Sequence, residues 1–419
     1  VALVAVVLTA VPVWQASRAA ESGAFREAGR GIVGGSARAQ KMLIGVQVAF
    51  TLALVAVGGV FALSFRNLAT VPLGLRIDAA AQAPLQPLPG GYRVPDPAAY
   101  YTNLLARVAA SPGVRAASLT SFPIFWFRFQ PELVRASDGT AETRAQIIRT
   151  THGYFRSIGV DLVAGEDFRT DPTESQAIVS QSVASSLGAP TLGRQIVIGE
   201  GAAARRWRIV AVAPTMTISM ADIRETRAPI VYLNFWQDRA QQRYPTLIVQ
   251  GAGRAPDARA ISQAVGGLGV EYVQEYLPLE TAHGMSIVED RLMAYLGAAF
   301  AGLALALAAI GLFAILSCYV SRRTGEFGVR IALGANAWHL RTLVLRQIGV
   351  VLGAGIAAGL GLSIAVGKVL AGMTFGVPAR SPALMAAAVA LILAAALVAA
   401  WIPGRRATSI QPVEALRRE

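Results

Sequence analysis

The chain has 419 residues, of which 54% are hydrophobic and only 15% charged, and its 38 Lys+Arg against 25 Asp+Glu give a formal net charge of +13. Soluble domains carry roughly 25% charged residues, and here the missing charge is concentrated in five stretches, 1–17, 42–65, 292–321, 347–367 and 381–404, rather than thinned evenly. A single cysteine, Cys318, and three histidines, at 152, 283 and 339, exclude a disulfide scaffold, a Cys/His zinc site and a haem motif.

A helix needs about 20 apolar residues to cross about 30 Å of hydrocarbon. The last four stretches are long enough, and 1–17 reads as a partial span, the end of a preceding one. A signal peptide at 1–17 would need a basic start, which is missing. The basic residues flank the runs. Arg18, Arg26, Arg30, Arg38 and Lys41 precede the second; Arg322, Arg323, Arg330, Arg341 and Arg346 lie between the third and fourth; Arg405, Arg406, Arg417 and Arg418 follow the fifth. Short loops rich in Lys/Arg stay in the cytoplasm. If every run crosses once, all three clusters fall on that side. This placement, rather than nucleic-acid binding, accounts for the basic charge. The linker 18–41 is then cytoplasmic, segment 66–285 outside, and the C-terminus inside.

In chain order, 18–41 reads as a flexible Gly/Ala/Arg linker and 42–65 as the first complete span. The outer segment 66–285 has domain size. It opens with Pro-rich extended chain, APLQPLPGGYRVPDP. A helix fits 97–110, with Tyr101, Leu104, Leu105 and Val108 on one face and a stop at Ser111-Pro112-Gly113. Short strands fit 177–180, 194–199, 207–213, 229–235 and 246–250. A second helix fits 256–268, with Ile261, Val265 and Leu268 as its stripe. Strands and helices in this order suit an α+β domain, helices packed on a sheet. A helix starting near 286 and continuing to about 320 would be roughly 50 Å long, enough to connect the outer domain rigidly to the inner loop. Three spans follow 285, at about 292–320, 347–367 and 383–403. The fourth run spaces Gly349/Gly353 and Gly355/Gly359 as GxxxG, which allows helix backbones to approach closely; a general Ala/Gly bias is the alternative. Residues 10–17, AVPVWQAS, faintly echo 401–408, WIPGRRAT.

Several chemistries are not encoded. The only lysines are Lys41 and Lys368, so no G-x-x-x-x-G-K-[ST] loop exists. No G-x-S-x-G or H-E-x-x-H motif occurs. His152 reads as a surface or turn residue. Lys368, near a span's outer end, is placed to snorkel. Charge away from the span ends would mark an ion path and none is seen; the spans also read as free of lining polar residues. No catalytic residue, metal or cofactor is expected. Phe122, Phe125, Trp126, Phe127 and Phe129, in SFPIFWFRF, form an aromatic patch. It is a candidate periplasmic contact for an apolar substrate, a lipid surface or a partner, or else a core strand with alternate rings buried.

The stretch TGEFGVRIALGA, 324–335, reads as a short helix between two spans. Thr324 is a suitable N-cap, Glu326 sits in the first turn, Glu326 and Arg330 are at i,i+4, and Gly334 is a stop. It suits either an amphipathic loop among headgroups or a docking knob whose Gly325 and Gly328 admit another backbone. The run RRTGEFGVRIALGA resembles the coupling helix of the FtsX-like permease family, which includes MacB-type transporters. Arg323, Glu326, Phe327, Gly328, Arg330, Ala332, Gly334 and Ala335 match its pattern. The ending WIPGRRATSIQPVEALRRE resembles the family's C-terminus at Pro403, Arg405, Arg406, Ala407, Pro412, Ala415, Leu416, Arg417 and Glu419, with Gly404 in place of the usual Ala. SPGVRAASLTSFPI and THGYFRSIGVDLVAGEDF resemble motifs of the MacB-type periplasmic core domain. The resemblance covers nearly all of 42–419.

It implies an α-helical transmembrane bundle plus an α+β periplasmic domain of the MacB type, in the bacterial inner membrane, with 286–419 as the FtsX-like permease domain. It also implies a non-enzymatic ABC permease subunit whose coupling helix docks on a cytoplasmic ABC ATPase in trans and which transmits motion outward for efflux or export. A non-transporting signal relay or scaffold acting on a periplasmic protein partner is the alternative. The partial first span makes the chain similar to the second half of duplicated, acidobacterial-type orphan permeases, the first half being part of the same polypeptide.

Overall fold

The computed structural model describes residues 33–88, 96–126, 131–169, 174–201, 204–219, 229–237, 245–322, 337–370, 374–377 and 381–408. The first apolar run, with its echo of the last span, lies outside the described residues. Contacts divide the chain into two units, one within 1–58, 298–369 and 379–419, the other within 59–297 and 370–378.

Among the described residues, four helices are long and apolar enough to cross a membrane: α1 (Val33–Ala69), and three designated α7 (Val288–Arg322), α8 (Ala337–Leu370) and α9 (Pro382–Thr408) after the elements that precede them. In hydrocarbon a chain must satisfy its own backbone polar groups, so Gly-rich sequence that would make poor helix in water is continuous helix here. Residues 33–41, read from the sequence as flexible linker, are instead the opening turns of α1. The helix expected to begin near 286 starts at Val288, because Ile287 (φ −109°, ψ 12°) ends a separate short helix before it.

The second unit is built around one sheet. Its elements are β1 (Ala80–Pro87), α2 (Pro97–Ala109), β2 (Val114–Thr120), β3 (Glu132–Ala136), β4 (Glu142–Thr150), α3 (Tyr154–Ser157), β5 (Ala164–Gly165), β6 (Gln176–Ser180), α4 (Gln181–Leu187), β7 (Gln195–Ile198), β8 (Arg205–Ala213), β9 (Ile230–Asn234), β10 (Thr246–Gly251), α5 (Ala258–Gly266), β11 (Glu271–Val273), β12 (Leu277–Pro278) and α6 (Leu279–Ser286). The strand order is β11-β1-β10-β2-β4-β3-β7-β8-β6-β9, and a parallel β4–β9 pairing closes six of these strands into a ring. Alternation places Val134, Ala145, Ile147, Val179, Ile196, Trp207 and Val231 in one core under α4. On the open part of the sheet, Ala81, Ala83, Leu85, Leu119, Leu247 and Val249 face α2 and α5.

The two predicted helices form as their stripes and caps dictate. Asp96 accepts from the Ala98 and Ala99 amides with Pro97 in the first turn, and Tyr101, Leu104 and Val108 are buried. Asp257 caps α5 by accepting from the Ala260 amide. The Pro-rich opening is not simply extended chain but β1, an interior strand. Pro84 is tolerated because it falls between two short partners, β12 at Ala81–Gln82 and β11 at Leu85–Pro87. The β3–β4 hairpin was not foreseen, although Asp138-Gly139 marks it. Gly139 has φ +70°. The Asp138 carboxylate accepts from the Thr140 hydroxyl and amide and faces Arg194 at 2.8 Å. The Thr140 bonds foremost, with Arg194, hold Asp138 down at about 2.

Glu271 is 1% exposed on the edge strand β11. Its Oε1 accepts from the Tyr101 hydroxyl at 2.9 Å. Burial pushes its carboxyl above the usual carboxylate range, against the lowering effect of bonds from Tyr101 and Tyr100. A folded-state pKa raised in this way favours the protonated form, so its contribution is full below the unfolded value and fades as pH rises through the folded one. Glu271→Gln should therefore raise the thermal midpoint at pH 7.5 and flatten the stability profile on the alkaline side of pH 4.5, read by thermal unfolding across pH. Gly165 has φ +82°, and a Cβ there would overlap the Val210 carbonyl and come within 2.7 Å of Ala211 Cα. Gly165→Ala should cost at least roughly 1–3 kcal/mol of stability, measured by denaturant unfolding.

Candidate functional site: where the spans enter the extramembrane domain

The outer turns of α1, the start of α7 and the segment 374–377 that follows α8 all contribute to the second unit. Phe65 and Leu68 from α1, Ile287 from the α6–α7 junction, and Phe375 pack into one cluster with Ile124, Phe125, Tyr154, Phe155, Phe168 and Tyr232. Burying each such side chain stabilises by about 1.5–3 kcal/mol. Two polar bonds fix the register. The Phe375 amide donates to Ser64 Oγ at 2.8 Å, and Asn67 Nδ2 donates to the Gly376 carbonyl at 3.2 Å.

The motif THGYFRSIGVDLVAGEDF turns out to build this cluster. Gly153, at φ +83°, starts α3, which buries Tyr154 and Phe155. The Asp167 carboxylate accepts from the Gly153 amide at 2.8 Å and from the Phe168 amide at 2.8 Å. His152 is exposed, with Nδ1 2.8 Å from the Phe168 carbonyl. Its place is the turn that the sequence indicated.

The described part of the aromatic patch, Ser121–Trp126, is a turn rather than a strand with alternate rings buried. Gln82 clasps it from β1, donating to the Ile124 carbonyl at 3.1 Å and accepting from the Ile124 amide at 2.7 Å. The Phe125 amide donates to the Ile218 carbonyl at 2.8 Å. Phe125 adopts φ +69°, a left-handed conformation that costs a side-chain-bearing residue about 1–2 kcal/mol. Its ring is 6% exposed and meets the His283 ring of α6 edge-on, centroids 5.4 Å apart. Burial lowers the His283 imidazole below its ordinary value, and its Nε2 has no partner among the described residues. Phe125 is thus a core residue rather than a contact. Trp126 is 41% exposed, and Phe122 is half-buried. Phe127 and Phe129 lie outside the described residues.

In the first unit, α1 is the helix the others pack on. A Cβ at Gly355 would come within 2.8 Å of the Gly45 carbonyl and 2.9 Å of Val48, and one at Gly359 within 2.8 Å of Leu52 and 2.9 Å of the Ala49 carbonyl. Gly349 and Gly353 have nothing comparable among the described residues. The spans are not free of polar side chains. Gln47 Oε1 lies 3.0 Å from where a Gly311 Cβ would be, and buried Thr51 donates to the Gln47 carbonyl at 2.8 Å. Ser363 is also buried, donating to the Gly359 carbonyl at 2.7 Å. Each hydroxyl satisfies itself within its own helix, which is how such residues are tolerated in hydrocarbon. Lys368 is exposed at the end of α8.

The predicted coupling residues Arg323, Glu326, Phe327, Gly328, Arg330, Ala332, Gly334 and Ala335 lie outside the described residues. So does the C-terminal tail beyond Thr408. Gln82, Ser64, Asn67 and Phe375 were not singled out from sequence. Only Phe375 carried a signal, as the one aromatic residue between the last two apolar runs.

These features define a multi-pass membrane protein whose spans carry an extramembrane domain. Residues 42–268 match the family model of the MacB-like periplasmic core domain, and residues 298–412 match that of the FtsX-like permease C-terminal region. The chain belongs to the FtsX/MacB-type ABC permease family. The macrolide export ATP-binding/permease protein MacB of Chromobacterium violaceum is 25% identical over 291 residues, which are 66% of this chain and 44% of that protein. This chain thus matches less than half the length of that relative. The extracellular domain of the noncanonic ABC-type transporter YknZ from Gram-positive bacteria is similar over 47% of this chain and 98% of that domain, at 14% identity and a TM-score of 0.30.

Gly359→Leu should weaken the α1–α8 contact and lower the thermal stability of the detergent-solubilised protein by about 1–3 kcal/mol. Gly353→Leu should change it by no more than about 0.5 kcal/mol. Equal effects of the two would argue against close approach at Gly359.

Proposed function

We propose that this chain is the permease subunit of an ABC-type transporter that carries motion from an ATPase to its extramembrane domain. The observation that carries the reading is the shared cluster. Phe65, Leu68, Ile287 and Phe375 join the ends of three candidate spans to the core that holds Phe125 and Tyr232. A displacement of those span-end residues would be passed to that core, because close-packed cores transmit strain. In this reading the extramembrane domain is an α+β domain in the periplasm, and the C-terminus and segment 323–336 are cytoplasmic, as the Arg placement and family resemblance support. The ATPase is read as a partner in trans, as the family resemblance supports, and the residues 1–419 carry no Walker-type loop of their own. Export is the transport direction that the name of the MacB relative supports. The resemblance to duplicated orphan permeases supports a first permease half in the same polypeptide.

Crosslinking from position 327 tests this. Phe327→Cys in a Cys318→Ser background, in native membranes, should trap an ABC ATPase. An inserted protein that traps none would favour a relay or scaffold acting on a periplasmic partner. Glu326→Lys, which reverses charge in the coupling segment, should leave membrane insertion intact and uncouple ATP turnover from extramembrane motion. Unchanged coupling would count against the docking role.

A further inference from the structure

The turn Ser121–Trp126 has features that the permease reading does not use. Phe125 is held in a left-handed conformation by the Gln82 clasp, the Ile218 carbonyl and the His283 ring. The consequence of that geometry is on the next residue. Phe125 is driven into the core at 6% exposure while Trp126 stands out at 41%.

Trp126 directly follows Phe125, which belongs to a core cluster shared with span-end residues. That cluster contains Phe65, which ends the uncharged run 42–65, and Ile287, which directly precedes α7. It also contains Phe375, five residues beyond the end of α8. The helix that meets Phe125, α6, exposes Met285 at 55%, and α7, which begins after Ile287, exposes Val288 at 43% and Leu292, which opens the next uncharged run, at 54%. From Ala116 to Pro131 the sole charge is Arg128, beside three phenylalanines and Trp126.

We propose that this turn is a lipid-interface anchor. Trp126 seats in the headgroup–acyl boundary of the phospholipid leaflet on the extramembrane domain's side. The proposal rests on α1 and α7 spanning the membrane. Trp is the side chain best suited to that layer, because its ring is apolar and its N–H finds polar partners there. A protein partner explains the exposed ring equally well, but not its position beside Phe125, which packs in one cluster with Phe65 and Ile287 and against the His283 ring of the short helix that precedes α7. The absence of acidic residues from 116–131 also suits the anionic and zwitterionic headgroups of a phospholipid surface. Through Phe125 and His283, lipid packing around Trp126 then bears directly on the helix that leads into α7.

The test uses the full chain in phosphatidylcholine/phosphatidylglycerol vesicles. A Cys318→Ser background receives one labelling cysteine at a time, at Trp126, at Leu192 on the extramembrane surface, or at Leu307 within α7. Each is labelled with an environment-sensitive fluorophore and quenched by shallow doxyl-lipid or by aqueous iodide. The label at 126 should lose fluorescence to the shallow lipid quencher and be shielded from iodide relative to 192. Equal iodide quenching at 126 and 192, with no lipid quenching at 126, would overturn the anchor while leaving the spans intact. Protection of 126 appearing only when a periplasmic extract is added would overturn it in favour of a protein partner. Loss of lipid quenching at 307 would overturn the spanning reading and the anchor together. Trp126→Phe provides a second arm without a cysteine. It should reduce the fraction of native tryptophan fluorescence quenched by brominated lipid, and an unchanged fraction would contradict the anchor.

Discussion

The structure depends on burial of span-end side chains in the core of a water-exposed domain. Phe65, Leu68, Ile287 and Phe375 are shared between helices that the bilayer must hold and a sheet that it cannot. Within hydrocarbon, apolar helices gain little from touching each other, because lipid tails are as apolar as leucine. Just outside it the hydrophobic effect is at full strength. The cluster therefore forms where the chain leaves lipid, and it joins span ends that lie far apart in sequence into one packed body. The Ser64 and Asn67 bonds to segment 375–376 add direction to a contact that apolar burial alone would leave free to slide.

Inside the membrane-spanning unit, association relies on close approach. Gly355 and Gly359 let α8 settle against the backbone of α1 at Gly45 and Ala49, where any side chain would hold the helices apart. Gln47 and Thr51 place polar atoms on another part of α1, towards α7. Both groups are uncharged, and the Thr51 hydroxyl is bonded within its own helix, which differs from the charged groups that mark a proton or ion path.

The motifs that carried the family resemblance in the extramembrane domain serve the fold. Gly153, Tyr154, Phe155, Asp167 and Phe168 are a turn, two core rings and the carboxylate that holds the turn to them. The aromatic run does two jobs with adjacent residues. Phe125 completes the core and Trp126 is displayed, and the left-handed backbone at Phe125 separates them.

The sequence by itself determined the spans, their order and the helices with clear stripes. A 20-residue apolar run has one low-energy fate, and the Asp96 and Asp257 caps act over three residues. It also carried the family resemblance of segment 323–335 and of the C-terminal tail, and the spacing of Gly355 and Gly359, but not which of the four glycines meets a partner helix. Seven of the twelve described strands escaped. β1 is interrupted by prolines, and the β3–β4 hairpin has a polar, exposed face rather than the apolar run that was sought. Tertiary structure alone decided that six strands close through a parallel β4–β9 pairing, that Gln82 clasps a turn 42 residues away, and that Phe375 enters a core. Each is a long-range contact, and pairing partners distant along the chain leave no local periodicity to read.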